Sequence, residues 1–117
     1  MTVKECYEIA GADFNDVMGR LGSEAFVKRF ALAFLKDSSF EKLKKAMEEK
    51  NAENAFTAAH TLKGVSANLG FSKLTEVSSE LTEKLRGRNL EGSEPVFAAV
   101  ENCYIQVIEA IQQLAEG

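Results

Sequence analysis

A single proline, Pro95, interrupts 117 residues, and the apolar residues return every third or fourth position rather than every second. Proline removes a backbone donor and ends helices, so a chain with one is free to be helical almost throughout. The recurrence is that of amphipathic helices, and no stretch alternates as a half-buried strand does. The chain therefore reads as all-α. Thr2 with Glu5 forms a capping box opening a short helix to about residue 10. Asp13 caps a second through residue 20, with Phe14, Val17, Met18 and Leu21 as its apolar side. Ser23 caps a stretch in which Phe26, Val27, Phe30, Ala33 and Phe34 recur at helical spacing. Asp37-Ser38-Ser39 interrupts it, and Ser38 with Glu41 predicts a capping box restarting a helix that presents Phe40, Leu43 and Met47.

Asn51 caps the next helix, from residue 52 to about 69, and Gly70 terminates it. Ser72 is expected to cap a helix bearing Leu74, Val77, Leu81 and Leu85, ending near Gly87. Residues 87–92 read as a loop. Ser93, with Pro95 in the first turn, opens a last helix with Val96, Ala99, Val100, Cys103, Val107, Ile111 and Leu114 on one stripe. Short connections make amphipathic helices antiparallel neighbours. The expected fold is an antiparallel up-down four-helix bundle over residues 23–116, with additional short N-terminal helices over 1–22, in a single domain of 1–117.

Composition narrows the function. Hydrophobic residues are 45% and charged residues 27%, which excludes disorder. No apolar run approaches the roughly 18 residues of a membrane span, and Met1–Cys6 lacks a signal-peptide layout, so no membrane partner and a cytoplasmic location are expected. The net charge is −4, which counts against a nucleic-acid partner. Cys6 and Cys103 lie far apart in no ligand spacing and read as free thiols; no metal site is expected.

The chemistry turns on the one histidine, His60. On a wheel of about 100° per residue, Ala55, Ala58, Ala59, Leu62, Val65, Ser66 and Leu69 form the core stripe. His60 falls about 160° from its centre and Gly64 about 200°, with Phe56 and Ala67 near the same outward face and Lys63 at its border. A lone histidine is usually a surface or satisfied structural residue. Gly64 argues for more, since a mid-helix glycine costs about 1 kcal/mol relative to alanine. Helical Cβ atoms lean toward the N-terminus, so a side chain at 64 would lie over His60. Its absence leaves room for a large incoming group. Phe56 either belongs to an outward apolar patch with Ala67 or packs on the N-terminal helices.

The segment Ala59-His60-Thr61-Leu62-Lys63-Gly64-Val65-Ser66-Ala67-Asn68-Leu69-Gly70 resembles the signature of histidine-containing phosphotransfer (HPt) domains. The flanking segments from about Ser23 to Leu114 are similar to that family as well. The resemblance implies an intermediate of a multistep two-component phosphorelay. It would take a phosphoryl group from an aspartyl phosphate and pass it to another aspartate. By the same resemblance His60 is the phosphoacceptor, Lys63 the charge partner and Gly64 the clearance position. Phe56, Ala67 and Thr82 are candidates for the docking face. Pairing about the turn at Gly70-Phe71 sets residue 60 opposite roughly 82, where the family often carries a longer polar side chain that orients the imidazole. Thr82 is shorter, and Ser79 or Glu83 could serve instead.

Imidazole is a competent nucleophile near neutral pH. Phosphoryl transfer needs mainly positioning and charge neutralisation. The sequence offers no Gly-rich cradle, carboxylate cluster or ligand spacing, so no resident cofactor is expected. The resemblance places the aspartate and Mg²⁺ on a partner receiver domain, with a hybrid sensor histidine kinase as a further partner class. The chain is then a monomeric phosphocarrier, not an enzyme with its own turnover. A pure interaction module would have no need to combine Gly64 with an outward His60. A haem bundle would have to draw axial ligands from His60 with Met18 or Met47, a weak set. A kinase would need an ATP-binding domain for which 117 residues leave no room.

Overall fold

The computed structural model describes all 117 residues and holds seven α-helices and no strand. They are α1 (Val3–Ile9), α2 (Phe14–Leu21), α3 (Glu24–Ala33), α4 (Ser39–Glu48), α5 (Ala52–Asn68), α6 (Ser72–Leu85) and α7 (Glu94–Glu116), with a 3-10 turn over Phe34–Lys36 after α3. Several starts are built as the sequence indicates. Thr2 and Glu5 exchange both bonds of a capping box, and Asp13, Ser23 and Asn51 each accept a backbone N–H three residues on.

Three serines behave otherwise. Ser38 makes no side-chain cap; the Asp37 carboxylate beside it accepts from the Ser39 N–H at 2.9 Å instead. The carboxylate thus satisfies the first orphan donor of α4, not the Glu41 N–H that Ser38 would have taken. The Ser72 hydroxyl donates to the Gly70 carbonyl and the Ser93 hydroxyl to the Leu90 carbonyl. Both therefore stabilise the preceding turn rather than the helix they open, and α6 begins with Phe71 as its uncapped N-cap.

One cluster of buried apolar residues draws on all seven helices, so α1 and α2 share the core of the bundle. The expected stripe of α5 is buried at Ala55, Ala58, Ala59, Leu62, Ser66 and Leu69, with Val65 half-buried. On α3 the inward face is Val27 and Ala31, leading to Phe34, whereas Phe26 and Phe30 are 50% and 45% exposed. That corrects the apolar side expected for this helix. Phe40 at the start of α4 stacks on Phe97 and Tyr104 of α7, which joins those two helices across the bundle.

The turn after α5 is the best-anchored point near the site. Phe71 N–H bonds to Ser66 O and Gly70 N–H to Ala67 O, the paired bonds of a Schellman ending. Gly70 has φ +74°, and a Cβ there would stand 2.9 Å from the Asp13 carbonyl, so both backbone and space demand glycine. The α1–α2 segment clasps this turn. The buried Tyr7 hydroxyl donates to Leu69 O at 2.6 Å, the Asp13 N–H donates to Gly70 O at 2.8 Å, and Arg20 donates to Ala67 O and Asn68 O.

Candidate functional site

The site is one face of α5. His60, Gly64 and Ala67 are exposed, and Phe56 and Lys63 are half-buried. The helix holds them on this side because Ala55, Ala58, Ala59 and Leu62 are spent on the core at the opposite side. An ideal Cβ at Gly64 meets nothing within 4 Å, so the space one turn beyond His60 is open. The glycine relieves no clash inside the protein. Whatever needs that space comes from outside.

Phe56 is half-buried and packs against the edge of the core cluster. Its ring lies nearly parallel to the imidazole, 13° between planes with centroids 6.2 Å apart. The Arg88 guanidinium carbon sits 3.8 Å above the Phe56 centroid, and that of Arg86 is 5.6 Å away. Both arginines come from the end of α6 and the loop after it. Arg88 pairs with Glu53 of α5 at 3.0 Å, which joins the start of α5 to the chain leaving α6. Since the turn at Gly70 joins their other ends, α6 runs back along α5.

Thr82 departs from its expected role. It is fully buried, and its hydroxyl donates to Ser78 O at 2.7 Å within α6. A buried residue lines no docking surface, and the one hydroxyl proton is given to Ser78 O. The cause is the rotation of α6, whose inner side carries Leu74, Ser78, Leu81, Thr82 and Leu85. Glu83, the alternative, is exposed but bonded to Arg86, which holds its carboxyl below the ordinary range, with Lys63 contributing a smaller electrostatic share. The same contact raises the Arg86 guanidinium further. Ser79 shares a groove with Lys63, Ala67 and Arg20.

Around His60, then, Arg86 is paired with Glu83 and Arg88 with Glu53, while Lys63 makes no ion-pair contact and feels Glu83 only at longer range. An incoming anion would find Lys63 outside any ion pair. Arg86, Arg88 and Glu53 carry no motif, but the pairing that sets 60 opposite 82 also sets 56 opposite 86, a signal present in the sequence. No group of three or more His, Cys, Asp or Glu side chains stands together as a metal site requires.

A family model for the Hpt domain matches residues 37–117, well over half of the chain. The chain belongs to the Hpt domain family. Family membership carries phosphotransfer in two-component phosphorelays, with receiver domains and kinases as interacting partners and a phosphocarrier rather than an enzyme as the working part. Within this Hpt chain the matched region comprises α4 to α7, and α1 to α3 precede it. No curated protein and no solved structure matches it significantly. No helix is long and apolar enough to cross a membrane.

Proposed function

We propose that this Hpt chain carries phosphoryl groups on His60, taking one from the aspartyl phosphate of one receiver and giving it to the aspartate of another. The observation that carries the reading is an exposed imidazole with open space beside it, where an added Cβ at Gly64 would meet nothing within 4 Å. In the forward step the lone pair of Nε2 attacks phosphorus in line. The N–P bond forms, the aspartyl O–P bond breaks, and the carboxylate leaves with the electron pair. Nδ1 keeps its proton. Lys63, held in no ion pair, offsets charge on the equatorial oxygens.

The receiver supplies the acidic site and the Mg²⁺; this chain supplies nucleophile, clearance and one cation. Docking covers Phe56, His60, Lys63, Gly64 and Ala67. Residues 1–117 work as one cytoplasmic, monomeric unit, and a hybrid sensor histidine kinase is the natural upstream source. The test is incubation with a phosphorylated receiver, followed by mapping of the label. Acid-labile label on wild type and none on His60→Gln is the expected result; equal labelling of His60→Gln overturns the assignment.

A further inference from the structure

Of the three groups expected to orient the imidazole from α6, Thr82 is fully buried with its proton on Ser78 O, and Glu83 is paired with Arg86. What stands against the ring is Phe56, one turn earlier on α5 and nearly parallel to it. Phe56 is in turn covered by Arg88, whose guanidinium is fixed at two further points, Nε on Glu53 at 3.0 Å and Nη1 on Arg86 O at 2.6 Å. Arg88 has φ +57°, a left-handed conformation that side-chain-bearing residues seldom adopt. The loop is thus bent at the residue whose side chain folds back over Phe56.

Resting on the reading of His60 as acceptor, we propose that Arg88 is a positioning residue for the imidazole, acting through Phe56. Its charge is neutralised by Glu53, so it contributes placement, whereas Lys63 contributes charge. A ring walled on one side by a clamped aromatic samples fewer rotamers. A larger share of molecules then holds the nucleophilic nitrogen ready for in-line approach. A mere tether between loop and α5 would use the Glu53 ion pair and leave the imidazole indifferent to it.

The experiment uses the full chain as wild type, Arg88→Ala, Arg88→Lys, Glu53→Gln, Phe56→Ala and the Phe56→Ala/Arg88→Ala double variant. Three quantities are read: melting temperature, the His60 ring ¹³C–¹H resonances, and the rate of phosphoryl uptake from phosphoramidate. That small donor loses ammonia as its P–N bond breaks and the histidine N–P bond forms, and it needs no docking surface. Arg88→Ala should move the His60 ring resonances and slow uptake roughly two- to fivefold, the scale of an exposed cation–π contact. Arg88→Lys should recover part of both, and Glu53→Gln should shift the resonances in the same direction by less. In the Phe56→Ala background, Arg88→Ala should add nothing. Unchanged resonances and uptake in Arg88→Ala overturn the proposal. So does equal slowing with and without Phe56, which would mean that Arg88 acts directly on the phosphoryl group. Should wild type take up no phosphoryl group on His60, the acceptor reading fails by itself, and the resonances still decide whether Arg88 positions the ring. The lysine and Glu53→Gln variants keep the question open to refutation if Arg88→Ala folds poorly.

Discussion

Gly64 separates stability from function at one position. It lies within α5, is exposed, and has room for a Cβ on every side. Helix propensity alone then governs Gly64→Ala, which should stabilise by up to about 1 kcal/mol. At about 2.1 cal/mol/K per residue, unfolding 117 residues carries an entropy of roughly 250 cal/mol/K, so that gain raises the melting temperature by about 4 °C. Gly64→Gln should be neutral or mildly stabilising on the same scale. Both side chains lean back toward residue 60 and enter the space a partner must use. Transfer from a phosphorylated receiver should fall modestly with Ala and severely with Gln, while neither variant melts below wild type. Thermal melts and transfer rates measured on the same samples decide it. A Gln variant that melts higher and still accepts phosphoryl groups at the wild-type rate would falsify the clearance argument.

Three further outcomes follow from the packing and the burial. Tyr7→Phe leaves the Leu69 carbonyl without its 2.6 Å donor in a buried place, and should lower stability by about 1–2 kcal/mol, read by urea unfolding; no loss would show that bond to be replaceable. Burial raises the Cys6 thiol from about 9.0 to about 11, so the folded chain holds that proton more tightly than the unfolded one, and the associated stability is present below pH 9 and lost as pH rises through 11. At pH 8 native Cys6 should therefore offer about a hundredfold less thiolate than in the denatured chain, and equal rates with a thiol reagent in both states would contradict this. Chemical-shift mapping with a productive receiver should perturb Phe56, His60, Lys63, Gly64 and Ala67 together and leave α7 little changed; perturbations confined to α7 would count against the docking face.

Much of the helical layout is legible because local rules act alone at those points. Thr2, Asp13, Ser23 and Asn51 are read correctly as caps since each reaches an orphan N–H three residues on, and Gly70 since its left-handed backbone ends α5. Ser38, Ser72 and Ser93 look the same in sequence. What differs is a neighbouring carboxylate that caps the first turn or a nearer carbonyl, and neither is visible in the residue itself. The outward His60 and Gly64 follow from the wheel because the opposite stripe is apolar at every position but Ser66. Thr82 faces the core where pairing alone points it toward residue 60, and its place four residues after Ser78 and three before Leu85 marks that inner side of α6. The Arg88–Phe56 contact depends on a left-handed residue in a loop, where no periodicity operates.

The central claim is that a phosphoryl group enters and leaves through His60. The direct measurement is a two-stage relay: label the chain from one phosphorylated receiver, free it of that receiver, then add a second unphosphorylated receiver with Mg²⁺. The account predicts acid-labile label on His60 after the first stage and its appearance on the second receiver's aspartate, with both stages silent in His60→Gln. Label that reaches the second receiver equally through His60→Gln, or that never leaves wild type, would contradict it.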